Sequence, residues 1–488
     1  MDAVTTDTFD SLSPLDGRVV DTFPVRGPAE VVSAVDRARR AAREWRSLGF
    51  EGRRRALQAW RRDIVAHLDD LIAVVRAETG KPRGDARLEI MLALDHLAWA
   101  ATHARPVLRR RRVGAGVLML NQSASVGYTP YGVVGVIGPW NYPVFTPMGS
   151  IAYALAAGNA VVFKPSEYTP GVGVWLQRSF VRAGGSADVF AVVTGLGPTG
   201  AALCRSGVDK VAFTGSTATG KAVMAACAES LTPVVIEAGG KDALLVDEDA
   251  DLAAAAEAAV WGAYSNAGQT CIGIERVYAH AKIYDRFVEA VAERTRELRA
   301  SADDAATLGP LTMPRQADVV RAHVADALAR GATARVGSAP APGTTLQPVL
   351  LTDVDEEADA VREETFGPTL VVNRVASMDE AVQKANAVRY GLSGSVFSKR
   401  RGRELALRLR GGMIAINSVI SFAAVPALPF GGVGDSGFGR IHGADGLREF
   451  AYPKALTRQR FPLLTLTTMR RTAKVDRLVE RIIRLLYG

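Results

Sequence analysis

Between residues 29 and 104 apolar side chains recur every three to four positions, as in AEVVSAVDRARRAAREWRSL and RRRALQAWRRDIVAHLDDLIAVVRAETG. That period predicts amphipathic helices. From Tyr131 the pattern changes to short apolar runs: YGVVGVIG, NAVVFKP, VFAVVTG, KVAFTG, PVVIEAGG and ALLV. Most are separated by helix-length segments, which predicts a parallel, doubly wound α/β sheet with ligands at the carboxyl ends of its strands. A second alternating block runs from about 250 to 417. It contains helices at DLAAAAEAAVWGAYSNAG, 283–300 and RGRELALRLR, and strands at TLVVNRV, GSVFS and MIAINS. The break between blocks falls at Gly239–Gly240. The expected organisation is therefore 1–111 with 131–240, then 241–417. The Arg109–Arg112 run and VGAGVLML after it read as a connector or a projecting strand.

A length of 488 residues suits two or three domains. Hydrophobic residues at 48% and charged residues at 23% are ordinary for a globular chain. Three cysteines (Cys204, Cys227, Cys271) give no disulfide framework and imply a reducing, cytoplasmic setting. No Cys or His spacing suits a metal, so none is expected. The first thirty residues carry five Asp and no apolar run, so no secretory signal is read there.

The net charge of +8 raises a nucleic-acid partner. Its location excludes one. Eight Arg/Lys against two Asp/Glu give the 458–488 segment +6, which leaves only +2 for the other 457 residues. In that tail, Val475, Leu478, Val479, Ile482, Leu485 and Leu486 share one helical face, and the basic residues lie largely elsewhere. The first reading of 468–488 is a helix docked on the body or on a partner subunit. The second is peripheral contact with an acidic membrane surface.

Several stretches are candidates for chemistry. Gly195, Gly197 and Gly200 satisfy the dinucleotide fingerprint, but Pro198 lies inside it and a plain strand-to-helix turn explains it as well. FTGSTATGKAV is the competing loop: Gly215 permits close approach and Ser216 offers an N–H and a hydroxyl to a phosphate. Cys271 lies in the polar turn SNAGQTC. Glu237 ends an apolar strand before two glycines, as a buried ion-pair member or a base with a raised pKa. Asn141, between Trp140 and Tyr142, is an oxyanion donor or a turn cap.

Together GPWNYP, GNAVVFKPSEYTP, VDKVAFTGSTATG, IEAGGK, SNAGQTC, EETFGP, YGLSGSVFS, INS and PFGGVGDSGFGR closely resemble the NAD(P)-dependent aldehyde dehydrogenases, in family order. The resemblance runs to about Lys454. It implies two Rossmann-like domains, cofactor-binding and catalytic, with strands 112–130 and 455–467 extending a homodimer or homotetramer. It makes Cys271 the nucleophile, Asn141 an oxyanion donor and Glu237 the base that releases the acid. The implied cofactor contacts are Trp140, Lys164, Ser166, Glu167, Gly195, Phe213, Gly215, Ser216, Glu364 and Phe366. Glu167 would repel a 2′-phosphate, so NAD is expected over NADP.

The implied substrate funnel contains Val144, Phe145, Ile272, Ile420 and Phe422. No Arg or Lys occurs in NYPVFTPMGS or NSVISFAAVPALPF, so an apolar aliphatic or aromatic aldehyde is expected. Succinic semialdehyde is the alternative, and Arg276, five residues after Cys271, is its candidate anchor. A cysteine hydrolase would need a histidine partner, and a retired binding protein would not need Cys271, Glu237 and Asn141 together. Four positions depart from the family pattern: Ala238, Asp242, Ile441 and Ser150.

Overall fold

The computed structural model describes residues 7–303, 306–339, 341–461, 469 and 472–488. The chain divides into two compact units. One contains Pro130–Tyr452 and the chain before Leu108; the other contains Leu108–Thr129 and the chain from Pro453.

Two sheets organise the larger unit. The first has six strands in the order Gly437–Phe438, Val234–Ala238, Lys210–Gly215, Val133–Ile137, Ala160–Lys164, Phe190–Val192. All are parallel except the short Gly437–Phe438 edge. In chain order the sheet grows outward from Val133–Ile137, then returns to its other side with Lys210–Gly215. That reversal opens a crevice at the carboxyl ends of the two strands, where a doubly wound sheet binds ligands. The second sheet has seven strands in the order Thr333–Val336, Val349–Thr352, Thr369–Val375, Ile274–His280, Asp242–Val246, Ser393–Phe397, Met413–Ile416. Its Thr333–Val336 edge is antiparallel to its neighbour. The chain crosses from one sheet to the other over Gly239, Gly240 and Lys241. Both sheets are parallel-rich and covered by helices, which is the two-domain Rossmann-like arrangement.

Helices Pro28–Ser47, Gly49–Ala66, Leu68–Thr79 and Arg83–Leu108 carry the early 3.6-residue period. The Ala-rich helix Leu252–Tyr264 buries Ala255, Ala256 and Ala259 in the core that covers the second sheet. Small side chains there let helix and sheet approach closely. An N-terminal hairpin, Thr8–Leu12 with Val19–Pro24, had no clear sequence signal. Its strands are five and six residues long with mostly exposed positions, so no apolar run marks them.

In the smaller unit, Gln122–Pro130 pairs with Arg111–Val113 in a sheet whose other edge is Ala451–Gln459. The helix Ala473–Tyr487 has no buried residue. Part of the expected 455–467 strand and of the 468–488 helix, namely 462–468, 470 and 471, lies outside the described residues. Among the described residues no helix is long and apolar enough to cross a membrane.

Candidate active site

Cys271 follows a turn of unusual backbone. Asn266, Ala267 and Gly268 all have positive φ (52°, 56° and 74°). Such values are costly for residues with a Cβ and persist only where surroundings enforce them. Here side-chain amides do so. Asn266 Nδ2 donates to the carbonyls of Asn141 and Gln269, each at 3.1 Å. Gln269 Nε2 donates to Asn266 O at 2.9 Å, and Gln269 Oε1 accepts from Thr312 N at 2.8 Å. Gly268 admits no side chain, because a Cβ would lie 2.2 Å from Gly367 O.

Glu237 ends the strand Val234–Ala238, between Thr214 and Gly437 in register. Both carboxylate oxygens are buried without a hydrogen-bond partner among the described residues. Burial pushes its pKa up to about 7, while the nearby Cys271 thiol and Thr214 hydroxyl act the other way. Burial and the charges of Glu237 and Glu364 push the Cys271 thiol well above its usual range. The resting pair is therefore a neutral thiol beside a carboxyl poised to titrate near neutrality.

Asn141 is fixed from both ends. Its Nδ2 donates to Gln269 O at 2.9 Å, and its carbonyl accepts from Lys81 Nζ at 2.7 Å. Lys81 is buried and paired with Glu89 at 2.8 Å. The other Glu89 oxygen accepts from Val144 N (2.7 Å) and Phe145 N (3.2 Å), where the helix Phe145–Ala157 begins. A carboxylate there offsets the unsatisfied N–H groups and the positive end of the helix. Lys81 and Glu89 carried no sequence signal, since each sits in a segment that reads as a charged helix face.

An apolar channel reaches Cys271 from one side. Phe145, Ile272 and Ile420 line it together with Leu88, Leu92 and Trp261. Ile420 has φ 59°, rare for a β-branched residue, in the turn that also brings Ala423 to the wall. Val144 and Phe422 are not on this wall: Val144 is buried at the start of its helix, and Phe422 packs inward beside Ala423. No Arg or Lys lines the channel, whereas Asp85 and Glu89 do. Arg276 is no anchor. It is buried elsewhere, with its guanidinium spent on the carbonyls of Lys241 (3.1 and 2.5 Å) and Ala385 (3.1 Å).

His442 also lines the channel, but its ring lies against that of His96, tilted by 50° with centroids 3.9 Å apart, and burial holds it well below its usual range. Ile441, a departure from the family pattern, is another wall residue. Asp242, a second departure, accepts from the backbone N–H (2.9 Å) and hydroxyl of Ser393 and so fixes the start of the strand Ser393–Phe397. Ser150 is buried in the helix Phe145–Ala157. Ala238 is buried in the core of the first sheet.

A polar cleft reaches Cys271 from the other side. Its inner part is lined by Trp140, Asn141, Gly215, Ser216, Glu364 and Phe366. Its outer part, about 560 Å³, adds Lys164, Ser166, Glu167 and Phe213. It lies at the crevice where the strand order reverses. The Ser216 hydroxyl caps the helix Thr217–Ala228 by accepting from Thr219 N, and this helix N-terminus borders the cleft, a ready anion site. Lys164 Nζ meets Glu167 at 3.2 Å. Glu364 accepts from Gly240 N at 2.9 Å. Phe366 stands edge-on to Trp140 at 5.5 Å, and a buried Lys241–Glu275 pair holds its loop through Thr365 and Phe366 N–H groups. Gly195 lies off this lining, with its backbone packed on Thr199; Gly197 and Gly200 form the wall instead. The crevice, the capped helix and the Glu167–Lys164 wall suit a dinucleotide.

Residues 2–456 match the aldehyde dehydrogenase family. The chain is 40% identical over 450 residues to 4,4'-diapolycopene aldehyde oxidase of Methylomonas sp, covering 91% of this chain and 85% of that one. Among solved structures it superposes on succinate-semialdehyde dehydrogenase from Burkholderia pseudomallei with TM-score 0.89 and 34% identity, over 93% and 95% of the two chains. An NADP-dependent enzyme of E. coli gives TM-score 0.89 at 33% identity, over 93% and 95%. Members of this family oxidise aldehydes with NAD(P) and are usually oligomeric. The chain belongs to the aldehyde dehydrogenase family.

Proposed function

We propose that the protein oxidises an apolar aldehyde to its carboxylic acid, with Cys271 as nucleophile. The supporting observation is the channel to Cys271, walled by Leu88, Leu92, Phe145, Trp261, Ile272 and Ile420, with no cation among its lining. Apolar walls favour apolar chains. The channel offers a short acid-ended substrate no cationic anchor. The relative named 4,4'-diapolycopene aldehyde oxidase agrees with an apolar aldehyde. The likeness to a succinate-semialdehyde dehydrogenase keeps that substrate as the second reading.

In this reading the Cys271 thiol gives up its proton to water, and the thiolate Sγ attacks the carbonyl carbon to give a thiohemiacetal oxyanion. Asn141 Nδ2 and the Cys271 N–H hold that oxygen. The nicotinamide, when bound, supplies the hydride acceptor. Loss of hydride leaves a thioester on Cys271. Glu237 takes a proton from water, which adds to the thioester carbon; the C–S bond breaks and the acid leaves with the thiol restored. The cofactor residues are those of the cleft, from Trp140 and Lys164 to Glu364 and Phe366.

Glu167 supports NAD over NADP, because a carboxylate accepts from ribose hydroxyls and repels a 2′-phosphate. Likeness to an NADP-dependent enzyme favours the opposite choice. The chain's divisions take the same reading: a cofactor-binding domain to residue 240, a catalytic domain over 241–417, and strands 112–130 and 455–467 joining a homodimer or homotetramer in the cytoplasm. The exposed helix Ala473–Tyr487 docks on a partner subunit, with anionic lipid as its alternative occupant. Co-flotation with anionic vesicles, compared with a chain ending at residue 468, separates the two.

The substrate reading is tested by an aldehyde panel, acid-ended against apolar and short against long, run with NAD and NADP. A cation-dependent preference for the acid-ended members would overturn it.

A further inference from the structure

A second depression opens beyond the channel. Met91 and Ala98 of the helix Arg83–Leu108 line it, with Arg61, Arg62 and Val65 of the helix Gly49–Ala66, and Ala424. Its open volume is about 750 Å³. It borders the channel: Leu92 lines both, and Ala423 lines the channel while its neighbour Ala424 lines the depression. Along the helix Arg83–Leu108 the channel residues Asp85, Leu88, Glu89 and Leu92 give way to Met91, Asp95 and Ala98. At 3.6 residues per turn the two sets occupy neighbouring faces of this helix, with Leu92 at the seam between them.

Two features mark this groove as a binding surface. Met91 and Val65 are 58% and 54% exposed. A singly exposed apolar side chain is ordinary, but these two line one groove that borders the channel to the reacting thiol. Arg61 and Arg62 lie in the same groove, and neither has an ion-pair partner among the described residues. Asp95 is the one carboxylate in the lining, and it is likewise unpaired.

We propose that this groove holds the distal part of a long-chain aldehyde, and that Arg61 and Arg62 hold a carboxylate at the far end of that chain. The inference rests on the apolar-aldehyde reading above. It adds a length dependence. A short acid-ended aldehyde finds no cation for its carboxylate in the channel. A long one carries it past the apolar wall to the arginines. The enzyme then takes long apolar aldehydes, and among them aldehydes already oxidised at the opposite end.

The test uses steady-state kinetics of the full chain with hexanal, dodecanal and the ω-carboxy analogue of dodecanal. Met91→Glu and, on the opposite wall, Val65→Glu each lower kcat/KM for dodecanal about tenfold and leave hexanal within about twofold. The double change Arg61→Ala with Arg62→Ala lowers kcat/KM for the ω-carboxy aldehyde about tenfold and leaves dodecanal within about twofold. Unchanged dodecanal kinetics in both Glu variants overturns the groove. An unchanged ω-carboxy aldehyde in the double variant overturns the arginine role. A parallel loss on all three aldehydes with a changed mass by light scattering makes the groove an interface between copies, which also overturns the proposal. Wild-type protein that oxidises neither hexanal nor dodecanal refutes the apolar-aldehyde reading itself.

Discussion

Cys271 and Glu237 are the two residues that line both the apolar channel and the inner polar cleft. The two spaces meet at this thiol and this carboxyl. A substrate entering through one and a dinucleotide lying in the other would therefore face each other across the same pair of side chains.

That placement gives Glu237 a pH signature. The release of product needs its carboxylate, and its pKa is about 7. Turnover should rise as pH increases through about 7 and level off above it. Glu237→Gln should lower turnover roughly 100- to 10,000-fold. It should leave a rapid burst of reduced cofactor, about one equivalent per site, visible by stopped-flow absorbance.

Stability should move the other way. The folded pKa is above the ordinary 4.5, so folding favours the protonated form. That contribution is fully present below about 4.5 and is lost as pH rises through about 7. At pH 8 the wild type bears a buried, unpartnered carboxylate, costing about 3 kcal/mol by linkage. Thermal denaturation at pH 8 should show Glu237→Gln with a higher Tm than wild type, and the gap should close at pH 5.

Lys81 is a positioning residue for Asn141. Lys81→Met leaves Glu89 buried without its ion-pair partner and should cost about 3–5 kcal/mol of stability. The Asn141 carbonyl loses its 2.7 Å donor. Asn141→Ala should lower kcat roughly 100- to 1,000-fold with little change in Tm. Denaturation curves beside kcat measurements distinguish the two variants.

Glu167 should set cofactor choice. Glu167→Ser removes the repulsion of a 2′-phosphate and frees Lys164 from its 3.2 Å pair. The ratio of kcat/KM for NADP to that for NAD should rise about tenfold. An unchanged ratio would remove Glu167 from the account.

Much of this was legible in the chain because local pattern and local structure agreed. The runs YGVVGVIG, NAVVFKP and KVAFTG are strands, and Ser216 caps the helix that follows its strand. Cys271 and Asn141 stood out because each sits in a Gly- or Pro-rich turn, and Glu237 because a carboxylate there closes an apolar strand before two glycines. Residues that act through distant partners were not legible. Lys81 and Glu89 meet Asn141 and the helix at Phe145 from about sixty positions away. Periodicity sees only a charged helical face there. Ile441 and Ala423 reach the channel through turns whose direction depends on the whole sheet. Arg276 was close to Cys271 in sequence, yet the strand Ile274–His280 turns its side chain into a different cavity.

The most direct test compares kcat/KM for decanal and succinic semialdehyde with NAD, on wild-type protein and on Cys271→Ser in parallel. The account predicts that decanal is preferred at least about a hundredfold, since each added methylene buried in the channel contributes about 0.8 kcal/mol. It also predicts that Cys271→Ser abolishes aldehyde-dependent reduction of NAD. Preference for succinic semialdehyde, or reduction that survives loss of the thiol, would contradict it.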